Sequence, residues 1–503
     1  MSIQERLRGL APGALKGMRR GIEKESLRVR PDGSLSSAPH PAALGSALTH
    51  PHVTTDFSES QLELITGVHE RVDACLEELT EIHQVVFRAI GDEVLWCASI
   101  PCNLPADDAI PIGRYGSSNV GRAKAVYRTG LSYRYGRRMQ TISGIHYNLS
   151  MPGVTSEQYF ALIRNFRRRS WLLLYLFGAS PAVCSSFVAG RSHELTELAL
   201  GTLYAPHGTS LRMGRLGYQS DAQASLAVSY NSLKSYTASL YDALTKPYPP
   251  YDKIGIRSGD DYRQLATSLL QIENEFYGTI RPKRRIRRGE RPLHALRERG
   301  VEYVEVRLMD LDPFVAIGIG AGTMRVLDVF LLHCLLDASP EDTPQEIAAI
   351  KRNQQQVATR GREPGLLLDK GQEKISLAEW GKRVLSECEP IAAALDRLHG
   401  GAAFRDALLG AGAVVSNPDS APSARVLDAM ARNHGNVYVR FVLAESLSHA
   451  GSLRGLPLGA EVKARFERLA RESLDEQRRL EAADTVDFET FRKQYLSPEL
   501  LKV

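Results

Sequence analysis

No stretch of this 503-residue chain offers the roughly 20 uninterrupted apolar residues that a membrane-spanning helix needs. The most apolar run, Trp171-Leu172-Leu173-Leu174-Tyr175-Leu176-Phe177, stops at Gly178 and Pro181, and Phe314 to Leu336 is interrupted by Arg325, Asp328 and His333. The basic start, Met1 to Gly21, lacks an apolar h-region, so no secretory leader is expected. Cysteine is scarce as well: Cys75, Cys97, Cys102, Cys184, Cys334 and Cys388 stand alone, with no C-x-x-C pair. That argues against zinc-ribbon, dithiol-redox and disulfide-scaffold classes, and predicts reduced, mostly buried thiols in a cytoplasmic protein. Cys97 and Cys102 are near enough in sequence to bridge, but a cytoplasmic setting argues against it. The phosphate-cradling signatures are also missing. There is no G-x-x-x-x-G-K-[ST] and no G-x-G-x-x-G after a strand, and Gly318-Ile319-Gly320-Ala321-Gly322 lacks the framing of either. A nucleotide must therefore be held another way. Without H-E-x-x-H or a second spaced histidine, a histidine-built zinc site is not expected.

What the chain does contain is the composition of a globular protein, with 43% apolar and 24% charged residues, enough to bury a core without disulfides. Its net charge of +5 is modest for this size and favours anionic small molecules without demanding nucleic acid. Strand-like and helix-like segments mix up to about Pro313. Helical spacing is read over Leu79 to Ile90, Ser156 to Phe177 and Ala222 to Leu244. Beyond Pro313 it recurs over Met324 to Asp337, Thr343 to Thr359, Leu377 to Leu398, Ser423 to Arg432 and Leu458 to Ala482. Breakers divide the later helices at Gly361 and Pro364, Gly400-Gly401, Gly410 to Gly412, Asn417-Pro418 and Pro457. The pattern predicts a mixed α+β fold. Residues 1–315 form its sheet-bearing part, and residues 316–503 form a helical part packed on it as one integrated unit.

Four predicted strands alternate polar with apolar residues: Gly21 to Val29, Gln61 to Thr66, Thr141 to Asn148 and Val301 to Arg307. Period two places Glu23 with Glu25, His146 with Asn148, and Glu305 with Arg307 on shared faces. An ordinary two-layer sheet sends such groups to solvent. A sheet curved around a polar cavity converges them into an oxygen-rich site with one imidazole, which suits Mg²⁺ or Mn²⁺ and a phosphorylated substrate. Alone, an E-x-E pair is more often solvated, since acidic residues are mostly exposed. Adding Asp56, Glu63 and Glu305 reverses that reading, because so many carboxylates on one cavity call for a divalent cation.

A lone His146 is more often hydrogen-bonded than ligating, so ligation by it depends on those carboxylates arriving from elsewhere. Arg212, after the loop Tyr204 to Ser210, has the setting of a carboxylate clamp, although a lone loop arginine is more often solvated. Tyr127, Tyr218 and Tyr277 either wall a small-ligand pocket or cap the core. The strongest charge cluster, Arg281-Pro282-Lys283-Arg284-Arg285-Ile286-Arg287-Arg288, reads as a solvated loop or a contact for a nucleotide's phosphates. It has too few interleaved aromatics to make a nucleic-acid surface the first choice.

Several longer segments together resemble the proteobacterial glutamate–cysteine ligase family, the first enzyme of glutathione synthesis. They are Lys16 to Val29, Gly45 to His50, Thr54 to Glu59 with Glu63, Met139 to Asn148, Leu176 to Pro181, Gln271 to Glu275 with Ile280 to Arg284, and Glu302 to Arg307. The similarity runs in family order to about residue 315 and is weaker in the helical remainder. The resemblance implies a glutamine-synthetase-like fold, in which a curved, mainly antiparallel sheet forms a metal-lined funnel. It implies the reaction ATP + L-glutamate + L-cysteine → γ-glutamylcysteine + ADP + phosphate, by way of a γ-glutamyl phosphate. Carried over residue by residue, Glu23, Glu25, Asp56, Glu63, His146 and Glu305 match the family's Mg²⁺ ligands, with Mn²⁺ as the alternative ion. Tyr127, Leu131, Gln140, Arg212, Tyr218 and Tyr277 resemble the glutamate and cysteine pocket. Arg128 and Arg307 are expected to be the catalytic arginines, and Asn148 joins Arg307 in contacting ATP.

A monomer restrained by glutathione is implied as well, without the glycine-adding second step. Two departures, a shorter Val188 to Thr202 segment and an altered Pro206-His207-Gly208 loop, lie beside the substrate pocket and leave the amine acceptor open. One rival is therefore a ligase joining glutamate to another small amine. The other, from a different class, is a nucleic-acid-binding protein that uses Arg281 to Arg288.

Overall fold

The computed structural model describes residues 3–10, 13–217, 221–224, 226–287 and 289–501. Tyr218 and Arg288 lie outside these described residues. The framework is an antiparallel sheet of seven strands: β1 (Arg19–Val29), β2 (Val53–Thr55), β3 (Gln61–Ile65), β4 (Val94–Leu95), β5 (Ile145–Ser150), β6 (Ile280–Lys283) and β7 (Tyr303–Met309). Their order is β6-β7-β5-β1-β3-β2, and β4 pairs with the end of β1.

Alternation along the central strand β1 sends Arg20, Ile22, Lys24, Ser26 and Arg28 to one face and Glu23 and Glu25 to the other. Neighbouring strands continue the first face with buried apolar groups: Leu62 and Leu64, Ile145, Tyr147 and Leu149, Val304 and Val306. Helices Val72–Ala89, Ser156–Arg169 and Ala321–Leu336 cover that face. Leu377–His399 and Ala403–Ser416 pack on Ala321–Leu336 as a second helical layer. One apolar cluster runs from Ala14 to Leu501 through sheet and helices alike. Among the described residues, no helix is long and apolar enough to cross a membrane.

Several expected elements differ in detail. The strand expected from Thr141 begins only at Ile145, since residues 141–144 form the turn and connection that follow the short helix Arg137–Gln140. Ser156 to Phe177 is broken at Ser170 into Ser156–Arg169 and Trp171–Phe177. Ala222 to Leu244 splits into Asp221–Ala224 and Leu233–Thr245. The second of these is started by Ser232, whose side chain accepts from the Ser235 N–H. Gly410 and Gly412 do not end a helix but lie inside Ala403–Ser416. The helix Tyr438–Gly455 and the hairpin Leu367–Lys370 with Glu373–Ser376 add to the expected set.

The expectation of six reduced thiols is corrected at one pair. Cys102 and Cys184 form a disulfide across 82 residues, with Cα atoms 5.5 Å apart. Spacing could not reveal it, because the partners meet only once the strand Ala182–Cys184 is laid beside the loop carrying Cys102. Cys97 does not join Cys102; it is a buried free thiol directed at the Val442 carbonyl.

Candidate active site

Strand register decides what the acidic face of β1 meets. Glu23 lies opposite His146 on β5, and Glu25 lies opposite Glu63 on β3. One row further, Asn148 faces Glu305 on β7, which in turn faces Arg281 on β6. Donor atoms of Glu23, His146 and Glu305 all fall within 4.8 Å of one another. His146 Nδ1 is 3.1 Å from Glu23 Oε2, and its Nε2 is 3.4 Å from Glu25 Oε1. Asn148 Nδ2 donates to Glu23 Oε1 at 3.0 Å, and the Gly144 N–H donates to Glu25 Oε2 at 2.8 Å.

Cations collect at one end of this face. Glu305 is flanked by Lys283 Nζ at 3.0 Å, Arg307 Nη1 at 3.1 Å and Arg281 Nη1 at 3.9 Å. The β5–β7 register shifts after Val306, and Arg307 Nη1 comes within 3.5 Å of His146 Nδ1. Burial alone would raise Glu305, but Lys283, Arg307 and His146 hold it well below the ordinary carboxylate range. Burial likewise opposes ionisation of Glu23, yet its bond to His146 keeps it low. Burial and the Arg307 charge together lower His146.

The other end has the opposite balance. Glu25 is pushed up to about 8 by burial and by the charge of Asp56, which Arg212 and Arg307 only partly offset. Burial, Glu23, Asp56 and Glu25 drive Glu63 well above the usual range against the pull of Arg128. The cations that act on these carboxylates do not offset their burial and mutual repulsion. At the Glu305 end, Asn148 Oδ1 is buried with no hydrogen-bond partner among the described residues. The donors are carboxylate oxygens and one imidazole nitrogen, a set that fits a hard divalent cation such as Mg²⁺ or Mn²⁺.

The arginines expected at the site are more deeply engaged than their sequence settings suggest. Arg212 is 2% exposed, in the short turn Leu211–Met213, and is not an open loop residue. Its Nη2 donates to the Arg307 carbonyl at 3.0 Å, and its Nη1 lies 3.9 Å from Asp310 Oδ1. Gly144 makes room for it, since a Cβ there would stand 2.0 Å from Arg212 Nη2. Arg128 donates to the carbonyls of Lys124, Thr55 and Asp56, with the Tyr115 ring 4.5 Å from its guanidinium carbon. It thereby anchors the chain at Asp56.

Helix Asn119–Tyr135 carries Tyr127, Leu131 and Tyr135 one turn apart. Gln140 Nε2 donates to the Tyr277 hydroxyl at 2.8 Å, and the Tyr277 ring meets Tyr135 edge-on at 5.6 Å. Leu131 is buried on that helix, while the Tyr127 carbonyl accepts from Gln271 Nε2 at 3.2 Å. Gln140 and Tyr277 are thus joined directly, and Leu131 and Tyr127 are held on the adjoining helix.

Some residues of the site have no role that the sequence alone assigns. Arg281 and Lys283 face Glu305 from β6, and their alternation in Ile280-Arg281-Pro282-Lys283 is the available signal. Lys124 is lowered to about 8 by burial and Arg128, against the attraction of Glu63. Asp310 accepts from the Ala179 N–H and the Ser180 and Ser210 hydroxyls, and nothing local marks it. The other described arginines of the basic run are bound to the segment that follows it. Arg284 donates to the carbonyls of Arg299 and Gly300, Arg285 pairs with Glu302, and Arg287 with Glu298. A cavity of about 360 Å³ opens beside Arg281 and Lys283, with Tyr236, Leu240, Asn274 and Tyr303 in its walls.

The chain is similar to known proteins along almost its whole length. Residues 8–357 match the family model described as glutamate-cysteine ligase. The chain is 45% identical to a glutamate–cysteine ligase of Alcanivorax borkumensis, over 98% of this chain and 99% of that protein. It is 49% identical to one of Azotobacter vinelandii, over 94% and 93%. The crystal structure of a Francisella tularensis glutamate–cysteine ligase in complex with AMP matches with a TM-score of 0.91 at 36% identity, covering 96% of this chain and 98% of that one. A bifunctional glutathione synthetase from Pasteurella multocida shares the fold at a TM-score of 0.71 and 24% identity, over 93% of this chain and 57% of that longer one. The α+β architecture, with its mainly antiparallel sheet and helical remainder, is the one the family leads one to expect. With the family model spanning more than half of its length and close relatives matching it almost end to end, this chain belongs to the glutamate–cysteine ligase family.

Proposed function

We infer that this chain joins L-cysteine to the γ-carboxylate of L-glutamate at the expense of ATP, giving γ-glutamylcysteine, ADP and phosphate. The observation that carries the reading is the acidic face of β1, where Glu23, His146 and Glu305 converge beside Glu25 and Glu63. A carboxylate is a poor electrophile, so the γ-carboxylate oxygen of glutamate attacks the γ-phosphorus of ATP. The bond to ADP breaks and an acyl phosphate forms. The cysteine amine then attacks the acyl carbon, phosphate leaves with the bonding pair, and the nitrogen releases its proton.

Glu23, His146 and Glu305, with Glu25, Asp56 and Glu63 at the other end, would hold divalent cations, Mg²⁺ or Mn²⁺. Bound there, such a cation would supply positive charge to offset the phosphate charge that develops in the transfer. Arg307 supplies fixed positive charge between Glu305 and His146, where the transferring phosphoryl group must pass. Asn148 orients Glu23 through its amide and offers its buried carbonyl oxygen to the nucleotide side. The cavity beside Lys283 and Arg281 is the place for the base and ribose, which leads the phosphates toward Glu305. Gln140, Tyr277, Leu131 and Tyr127, with Tyr218, take the amino acids.

Arg212 and Arg128 are assigned to positioning. The first holds the Arg307 backbone behind Glu25, and the second holds the chain at Asp56. Residues 1–315 carry this machinery and residues 316–503 support it. The chain works as a monomer in the cytoplasm, where ATP and free cysteine are supplied, and is restrained by glutathione.

The test is ADP release from purified protein with ATP, Mg²⁺ and glutamate, with and without cysteine, and identification of the product by mass. Cysteine-dependent release with γ-glutamylcysteine formed is the expected result. Release that needs glutamate but ignores cysteine moves the reading to another amine acceptor. No glutamate-dependent release at all overturns it.

A further inference from the structure

A second cavity, of about 700 Å³, takes no wall from the acidic face of β1. Tyr135 and Met139 line it; one touches Tyr277 and the other precedes Gln140 in sequence. Its size is in the range of small-molecule sites, and its rings include Tyr248 and Tyr251, 4.9 Å apart and edge-on. Four charged side chains reach this cavity, and they differ in how far they are already satisfied.

Arg134 is fully engaged. It pairs with Glu275 at 2.8 Å, donates to Gln264 Oε1 and to the carbonyls of Ala266 and Leu269, and stacks 4.1 Å from the Tyr251 ring centre. Asp107 is engaged too, because its carboxylate accepts the N–H groups of Arg137 at 3.0 Å and Arg138 at 2.9 Å. Arg191 is exposed and donates to the carbonyls of Arg215 and Leu216. Arg138 is different. Its side chain makes one hydrogen bond among the described residues, to the Ser186 carbonyl at 3.0 Å, and no carboxylate side chain pairs with it there. Its Nε is buried without a partner among those residues. A half-buried guanidinium in that state is costly, and a planar, two-oxygen anion satisfies it best.

We propose that this cavity is a second ligand site, for small organic monocarboxylates with an aromatic or apolar body. The ligand carboxylate pairs with Arg138, and its body lies against Tyr248, Tyr251 and Met139. With Arg134 paired to Glu275, the charges of Arg138 and Arg191 against the Asp107 carboxylate leave a net of one positive charge in the cavity, which suits a single negative charge on the ligand. A phosphate dianion would exceed that charge balance.

Occupancy is felt at the neighbouring amino-acid pocket through a continuous set of bonds. The Tyr135 hydroxyl donates to Glu275 at 2.8 Å and accepts from Gln223 at 3.2 Å, and Gln223 Oε1 accepts the Tyr277 N–H at 3.0 Å. That consequence, unlike the binding itself, rests on the function proposed above.

The experiment is calorimetric titration of the full-length protein, without substrates, with phenylacetate and with the neutral 2-phenylethanol. Phenylacetate is expected to bind saturably, and the alcohol at least about tenfold more weakly, the loss of one charge-assisted pair. Arg138→Gln should weaken phenylacetate by about tenfold or more. Tyr248→Ala, which removes a half-buried ring, should weaken both probes and keeps the test open if Arg138→Gln folds poorly. Equal binding of acid and alcohol overturns the proposal. So does binding undiminished in both variants, or no saturation up to about 10 mM, a level where even millimolar affinity is visible. Displacement of phenylacetate by L-glutamate would show that the cavity is part of the substrate pocket and would end the claim of a second site. The product assay is read separately, so loss of this proposal leaves the ligase reading standing, and the reverse.

Discussion

Along β1, residues Arg20, Lys24 and Arg28 point one way and Glu23 and Glu25 the other, and none of the five is exposed. On the first face both arginines meet carboxylates. Arg20 pairs with Asp328 at 3.1 Å, and Asp328 also accepts from the Tyr147 hydroxyl at 2.6 Å. Arg28 pairs with Glu93 at 2.9 Å. Lys24 lacks a carboxylate and donates to His83 Nε2 at 3.0 Å, and burial pushes it down to about 7. On the second face Glu25 and Glu63 lie directly opposite each other, with Asp56 acting on both. Their ionisation is suppressed rather than matched. Buried charge therefore does not by itself mark a functional site, whereas buried charge of one sign without enough of the other does.

The contrast can be broken from either side. Arg20→Met leaves Asp328 buried without its cation and should cost about 3–5 kcal/mol in chemical denaturation, most of it regained in Arg20→Met with Asp328→Leu. A single variant as stable as the parent would mean that the balanced face is not held by its charges. On the other face, Glu305→Gln leaves Lys283, Arg281 and Arg307 without their shared carboxylate, so it should also cost about 3–5 kcal/mol, and in the folded fraction it should lower kcat by about 10²–10³-fold. Near-normal turnover at saturating Mg²⁺ would remove Glu305 from the site.

A gentler probe is pH. Glu25 and Glu63 keep protons in the folded state that the unfolded chain gives up above its ordinary carboxylate pKa, near 4.3. At these two groups the folded state binds more protons, so their contribution to stability in chelator should fall as pH rises from about 5 to about 8. It is read as the difference between the parent and Glu25→Gln, because His40, His50 and His83, lowered by burial, act in the opposite sense below about pH 6.5. Glu25→Gln, or added Mg²⁺, should flatten that fall. A parent-minus-variant difference in melting temperature that climbs through the same window would contradict the unbalanced face. The smallest effect is expected at Lys24→Met, within about 1 kcal/mol, since burial already disfavours the lysine charge and methionine keeps its volume. A larger loss in the melting curve would give Lys24 an electrostatic role that the pairing with His83 does not.

Period two is enough to put Glu23 with Glu25, and Glu305 with Arg307, on shared faces from the order of residues alone. Arg281 and Lys283 follow the same rule but are masked by the surrounding basic run and by Pro282. Proline argues against a strand, except at a sheet edge, and β6 is the edge strand. Arg212 has the local setting of an open loop residue because its burial depends on Gly144, 68 positions away by residue number, leaving space for the guanidinium. Gly410 and Gly412 read as breakers by propensity, yet nothing crowds them and the helix Ala403–Ser416 packs through Phe404, Leu408, Ala411 and Val415.

The order of residues alone puts Glu23 with Glu25 and His146 with Asn148 on shared faces, because side-chain alternation is a local property of an extended backbone. It also determined which ready-made phosphate and zinc motifs are absent. Only the tertiary structure decided that Glu23 meets His146, that Glu25 meets Glu63, and that three cations gather at Glu305 but not at Glu25. Register is set by long-range packing of strands far apart in the chain. The state of a buried carboxyl depends on every charge and dipole around it, and those neighbours arrive from residues 23 to 307 only when the sheet closes.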